Sequence, residues 1–485
     1  MKQLKGNIRK IALLMIALFV LLTAYGAYSL LSYGNRWFSS SANTYVRQQK
    51  KNVTPGDILD VNGVLLADTN AETGARVYQA DKTARSAVVH VLGDSQSNVS
   101  NGVESFMASY LYGFSMSFPE RLSAFFSGSQ RTGDTVQLTI DSALCTYIAR
   151  ELAADASLPK NLSGAVVVMN YKTGAVLCEM SLPLFDPYEA DKVKDDPGKP
   201  FYNRAVQGLY APGSTFKIIT AAAALQSASV KGRSFQCTGL FSPDAQTEHV
   251  ITDAGTDIDK NKIVSHGQLT LREAFKKSCN NTFAQIALEL GDATLKKQAE
   301  AFGFCDNFLF RDLVVENSSY PTANRTKWAV AWSGAGQSGP LASPLHMCLV
   351  ACAVANNGVM MEPRLLSNVT AANGKTRLSF TSRVYRTALR DQEVVSALRD
   401  YMYAVVNETG GTGRAASLTG HTVYGKTGSA EVEGQENTNA WFVGFLGDAD
   451  APYALSIVLE NAGGGGEHAA PLAQKIFQYI LTKNQ

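Results

Sequence analysis

Twenty-five consecutive residues, Ile11 to Asn35, carry no charged side chain. As a helix such a run rises about 37 Å, more than the ~30 Å hydrocarbon core of a bilayer. A cleavable secretory leader has an apolar stretch of only about 7–15 residues, so 11–35 reads as a retained, single-pass transmembrane helix. Lys2, Lys5, Arg9 and Lys10 stand just before it. That basic cluster is expected to keep residues 1–10 in the cytoplasm and to send everything beyond Arg36 to the extracytoplasmic side.

The rest of the 485-residue chain is long enough for one large core and a smaller one. With 44 Lys and Arg against 42 Asp and Glu, its net charge is +2. It therefore has no basic footprint for nucleic acid and no acidic tail. A hydrophobic share of 45% excludes a largely disordered chain. The seven cysteines (145, 178, 237, 279, 305, 348 and 352) contain no C-x-x-C, and the six histidines fall in no metal-binding spacing. No metal, no organic cofactor and no histidine-based catalysis are expected. The odd cysteine count argues against a complete disulfide framework, and Cys348 and Cys352, one helical turn apart, read as packing.

Hydrophobic period and turn residues divide the chain beyond the span. Residues 36–51 are polar and Ser-rich, a stalk. Residues 52–140 hold short strand-like pieces between turn pairs such as Pro55-Gly56 and Asn62-Gly63, and read as a small mixed domain. The larger unit, 141–485, opens with a helix to about Ala154, capped by Asp141 or Ser142. Two strands come next, Gly164–Met169 and Ala175–Met180, joined by the turn Asn170–Gly174. From Arg204 to about residue 405 the pattern reads as helical with interruptions. Thr270-Leu271-Arg272-Glu273 is a capping box, and Ser343-Pro344 is an N-cap with proline at the first helical position. Strands return at 424–432, 440–446 and 453–459, and a last helix runs from about Ala470 to Leu481. The expected architecture is α+β: a five-stranded, mainly antiparallel sheet flanked by helices, a helical lobe, and a cleft between them.

Three clusters can carry chemistry. In the first, Pro212-Gly213 breaks the chain and an Ala-rich helix begins beside Ser214. Ser214 and Lys217, three apart, share a helix face. A lysine there can take the serine's proton if burial or a neighbouring cation lowers its pKa. Alone, S-x-x-K recurs by chance on exposed helices of a chain this long. The second is Ser278-Cys279-Asn280, between two helical patterns. There Ser and Asn ordinarily act as caps, although a second hydroxyl can also relay a proton and an Asn can hold an amide. The third is Lys426-Thr427-Gly428-Ser429 on a late strand. Its ammonium and hydroxyl suit a carboxylate, and its glycine lets a substrate backbone approach. Lys172-Thr173-Gly174 spells the same tripeptide, but its neighbours are turn formers and it reads as a hairpin turn. The Gly-rich loop Thr409–Gly413 reads either as a flank of the cleft or as plain glycine-rich flexibility, and it lacks the strand, loop and helix context of a phosphate cradle.

S-x-x-K, then S-x-N among helices, then K-T-G on a late strand is the motif set of penicillin-binding proteins and class A β-lactamases. The surroundings resemble class B penicillin-binding proteins, the penicillin-binding protein A type above all. They include Asn203-Arg204-Ala205, Tyr210–Ser214, Ser181–Pro187, Gly336-Gln337, Ser343–Leu345 and Asn439–Gly444. Pro55–Gly63 is similar to the family's opening motif, with Pro55 and Val61 where arginines are usual. The segment between span and larger unit is too short for a glycosyltransferase.

The resemblance implies a penicillin-binding, serine β-lactamase-like transpeptidase fold behind a pedestal domain. It implies that Ser214 attacks the penultimate D-Ala of a stem peptide, with Lys217 as base and the N–H groups of Ser214 and Ser429 as oxyanion hole. Ser278 would pass a proton to the leaving D-Ala. Asn280 would orient the donor, and Lys426 and Thr427 would hold its carboxylate. The implied partners are peptidoglycan stem peptides, β-lactams, the cytoplasmic membrane and a separate glycosyltransferase. A D,D-carboxypeptidase or β-lactamase-like hydrolase, and a non-catalytic scaffold or β-lactam sensor, are the rival readings.

Overall fold

The computed structural model describes the chain apart from residues 1, 40–52, 71, 95, 97, 117–119, 121, 123–125, 127–130, 245–249, 322–324 and 484–485. The stalk expected over 36–51 falls almost wholly outside the described residues.

A five-stranded sheet organises the larger unit. In chain order its strands are β1 (Gly164–Asn170), β2 (Val176–Leu182), β3 (Val423–Ala430), β4 (Asn439–Leu446) and β5 (Tyr453–Leu459), and across the sheet they run β3-β4-β5-β1-β2. Every pairing is antiparallel. Opening strands pair with the last closing strand, so the sheet forms only once the two ends of the unit meet.

All eight residues of β4 are buried, and nearly all of β1. Such continuous burial means that both faces are covered. Helix α1 (Ser142–Ala154), N-capped by Asp141, packs on β2 and on the terminal helix (Ala470–Lys483), where Tyr147 and Tyr479 stack at 4.4 Å. A second helix, Pro344–Ala355, packs on β1, β4 and β5 and is buried at every residue. Ser343 caps it by accepting from His346 N–H.

The stretch from Arg204 to residue 405 is less helical than its pattern predicts. It holds paired strands at 234–237 and 267–270 and at 359–361 and 384–387, besides Leu366–Thr370 and Thr376–Ser379. Each is three to five residues long, too short for a period of two to stand out against one of 3.6.

Two of them join the N-terminal region. A six-stranded sheet runs Thr376–Ser379, Leu366–Thr370, Thr135–Leu138, Ile58–Leu59, Leu65–Thr69, Arg76–Tyr78. The small domain expected over 52–140 therefore shares its sheet with residues more than two hundred positions later, and residue 140 is not a boundary between sheets. Asp60 accepts from Ser142 Oγ at 2.7 Å, and Arg85 forms a bidentate pair with Asp186 at 2.8 and 2.6 Å.

At the other end, the helix Lys2–Ser39 contains a 28-residue stretch, Gln3–Leu30, long and apolar enough to cross a membrane, with none of its most apolar window buried in the protein.

Candidate active site

Pro212 and Gly213 end the incoming chain, and Gly213 takes a φ of +52°. A side chain at Gly213 would run into Ser429 O and Ala430 Cβ, both 3.2 Å from an added Cβ. The turn therefore needs glycine, and it sets Ser214 directly beside the end of β3. A single 3-10 turn, Gly213–Phe216, leads into the helix α2 (Lys217–Leu225), whose residues are all buried.

Lys217 is 0% exposed. Its Nζ donates to Ser214 Oγ at 3.1 Å, to Ser278 O at 2.7 Å and to Asn280 Oδ1 at 2.7 Å. Burial pulls its pKa down to about 8, against an opposing pull from Asp253 and Cys279. A charged ammonium kept from water is disfavoured, so near neutral pH this amine sits close to the balance a general base needs.

Ser278 occupies the turn between Leu271–Lys276 and the helix α3 (Asn280–Leu290), with φ +57°. A non-glycine residue in the left-handed region is strained, and such strain collects where geometry matters. Its hydroxyl lies 3.4 Å from Lys217 Nζ and accepts from Lys426 Nζ at 2.7 Å. These contacts join Ser214, Lys217, Ser278 and Lys426 in one chain, so Lys426 Nζ and Ser214 Oγ lie within about 10 Å of one another, the reach of a short dipeptide.

Asn280 is held at three points. Its Oδ1 accepts from Lys217, its Nδ2 donates to Thr252 O at 2.9 Å, and its backbone N–H donates to Asp253 Oδ1 at 2.5 Å. Cys279, between the two polar residues, is 0% exposed and turns its thiol toward Asp253 and Thr282.

Lys426 lies on β3, the edge strand, and is 0% exposed. Burial, then the Lys217 cation, drives its pKa well below the usual lysine value. Thr427 shares a 2.6 Å hydrogen bond with Thr412 of the Gly-rich loop, and Ser429 Oγ accepts from Gly465 N–H at 3.3 Å. A cleft of about 650 Å³ is lined by Ser214, Ser278, Asn280, Thr427 and Ser429. Lys217 and Lys426 are fully buried beside it, each bonded to the Ser278 hydroxyl. The second tripeptide, Lys172–Gly174, is the β1–β2 turn, with Lys172 exposed and bonded to Asn356.

Thr412, in the Gly-rich loop that the sequence offers as a flank of the cleft, does line it, whereas two further lining residues escape sequence reasoning. Thr252 and Asp253 lie at and just after a two-residue strand that leaves no periodic signal.

The family model described as penicillin binding protein transpeptidase domain matches residues 164–478. The peptidoglycan D,D-transpeptidase PbpA of Mycolicibacterium smegmatis is 30% identical over 390 residues, covering 76% of each chain. The crystal structure of PBPA from Mycobacterium tuberculosis matches with TM-score 0.78 at 26% identity, over 88% of this chain and 99% of that one. The penicillin G acyl-enzyme complex of that penicillin-binding protein A matches with TM-score 0.76 at 26% identity, over 88% and 98%. With the order of its motifs, its sheet and its relatives in agreement, the chain belongs to the penicillin-binding protein transpeptidase family, among the class B members.

Proposed function

We propose that the protein is a membrane-anchored serine acyltransferase that cross-links peptidoglycan stem peptides and is acylated by β-lactams. The observation that carries this reading is a fully buried lysine 3.1 Å from a cleft-lining serine hydroxyl. Relatives named as D,D-transpeptidases, and a penicillin G acyl-enzyme among the similar structures, support the substrate class.

In this reading a stem peptide ending in D-Ala-D-Ala lies along the free edge of β3, with its terminal carboxylate at Lys426 and Thr427. Ser214 Oγ attacks the penultimate carbonyl while Lys217 takes the hydroxyl proton. The tetrahedral oxyanion accepts from the backbone N–H groups of Ser214 and Ser429. The proton taken by Lys217 is relayed through Ser278, which is bonded to Lys426 and 3.4 Å from Lys217, to the departing D-Ala amine, and Asn280 orients the donor amide. The amine of a neighbouring stem peptide then attacks the acyl-enzyme and forms the cross-link. A buried amine with a depressed pKa suits Lys217 to this transfer, since a neutral lysine accepts a proton that a charged one cannot.

The anchor belongs to the same reading. Residues 11–35 cross the cytoplasmic membrane with residues 1–10 inside. A stalk over 36–51 and a pedestal built around 52–140 hold the catalytic unit, 141–485, at the wall, where a separate glycosyltransferase supplies glycan strands.

The test is labelling of detergent-solubilised full-length protein with a fluorescent penicillin. The parent is expected to take up label covalently and Ser214→Ala is not. Label retained by the variant refutes the nucleophile assignment. An alkaline-phosphatase fusion after residue 60 is expected to be active, and an inactive, well-expressed fusion refutes the orientation.

A further inference from the structure

Behind the Ser278–Asn280 turn, four segments far apart in the chain bring a soft donor set together. Cys237 ends the strand Ser234–Cys237, Asp253 follows Ile251–Thr252, His266 precedes Gly267–Thr270, and Cys279 is the N-cap residue of α3. Asp253 Oδ2 lies 3.0 Å from Cys237 Sγ, 3.4 Å from Cys279 Sγ and 3.4 Å from His266 Nδ1. Cys237 Sγ lies 3.6 Å from His266 Nδ1. One donor atom from each residue falls within 4.8 Å of all the others. Cys237, Asp253 and Cys279 are buried, and His266 lies at the wall of the cleft.

We propose that Cys237, Asp253, His266 and Cys279 form a structural zinc site that holds the Ser278–Asn280 turn from behind. Zinc binds thiolate sulfur at about 2.3 Å and imidazole or carboxylate at about 2.0–2.2 Å, which in a tetrahedron puts neighbouring donors roughly 3.3–3.8 Å apart. Four of the separations, from 3.0 to 3.6 Å, lie at or near that range, and the remaining two pairs, within 4.8 Å, need to close by no more than about 1.5 Å. Two thiolates with an imidazole and a carboxylate favour zinc over magnesium or calcium, which prefer oxygen. Four protein donors close the shell, as in a structural site.

A plain hydrogen-bonded cluster explains the set less well. Asp253 Oδ1 is satisfied by the N–H groups of Asn280 and Asn281. Its Oδ2 is left facing two thiols, which are weak donors, and the His266 Nδ1 at 3.4 Å, long for a hydrogen bond. A Cys237–Cys279 disulfide leaves Asp253 and His266 without a role. With zinc, Asp253 bridges the metal and the Asn280 N–H, and Asn280 in turn accepts from Lys217. Metal occupancy thereby fixes the turn that positions Ser278 and Asn280. Both thiols deprotonate on binding and release two protons.

The test is metal content of the full-length protein, purified in detergent under reducing conditions without chelator and equilibrated with one equivalent of zinc. About one zinc per chain is expected, and cobalt substitution is expected to give a sulfur-to-cobalt charge-transfer band. Cys237→Ser and His266→Gln are expected to retain less than a tenth of the metal. Cys305→Ser, at an exposed cysteine, is expected to retain all of it. His266 is only partly buried, so its variant still reports if Cys237→Ser fails to fold. A zinc-free parent, a cobalt complex without the sulfur band, a Cys237–Cys279 disulfide in the purified chain, or unchanged zinc in His266→Gln overturns the proposal. These readouts are independent of penicillin labelling: Ser214→Ala is expected to keep its zinc, and a metal-free parent leaves the serine assignment standing.

Discussion

In the proposed mechanism Lys217 is the base, and its burial gives that proposal a measurable pH dependence. With its pKa drawn down to about 8, the neutral amine is the minor form at pH 6 and the major form at pH 9. Penicillin acylation is expected to rise about tenfold per pH unit up to roughly pH 8 and then level off. Lys217→Arg, charged at every accessible pH, is expected to lose at least about 10²-fold in acylation rate and to lose the profile with it. A variant that keeps the profile sinks the base assignment. Glu179 makes a separate case in the core. It is buried, and desolvation raises its pKa to about 7 despite the hydrogen bond from Asn203. Because the folded-state value lies above the ordinary 4.5, the contribution of the neutral carboxyl is full below about pH 4.5 and is lost as pH rises through 7. Denaturation midpoints of the parent are expected to fall relative to Glu179→Gln across that window and to run parallel above it. A constant difference between the two from pH 4 to 8 refutes the assignment.

Among the elements, β3 carries the most demands: it is the free edge that faces the cleft, and Lys426, Thr427 and Ser429 all lie on it. The segment Gly464–Ala469 holds it against the neighbouring strand. An added Cβ on Gly465 meets Gly428 O and Trp441 O, each at 2.2 Å. Backbone on two strands cannot yield to a methyl group as a flexible side chain can. Gly465→Ala is therefore expected to push this segment off β3 and to cut penicillin acylation at least tenfold, although it removes no polar group. Acylation within twofold of the parent counts against this view of the edge. The helix Pro344–Ala355 and the β1–β2 turn were legible in sequence because their signals are local: a Ser-Pro start, an Asn-Gly stop, and turn formers between two apolar runs. The strands between 234 and 387 were not, because each has only two to five residues, too few for a period of two to stand out against one of 3.6.

At the scale of the molecule, the main hydrophobic core runs from Val53 through the five-stranded sheet to Leu481, and Gln3–Leu30 stands outside it. Removing residues 1–39 deletes the apolar helix and none of that core. The truncated chain is expected to move to the soluble fraction and to keep its penicillin labelling within about twofold. Loss of labelling would mean that the helix does more than anchor. The six-stranded sheet explains why the pedestal was only partly readable. Leu366–Thr370 pairs with Thr135–Leu138, and nothing in either segment names the other. By itself the sequence determined the apolar span, the helix starts and stops, the turn at Lys172–Gly174 and the order of the three motifs, since each depends on residues a few positions apart. The meeting of Ser214, Ser278 and Lys426, and of Cys237, Asp253, His266 and Cys279, was decided by tertiary structure alone. Burial and long-range strand pairing bring those groups together, and spacing along the chain carries no record of distance across a core.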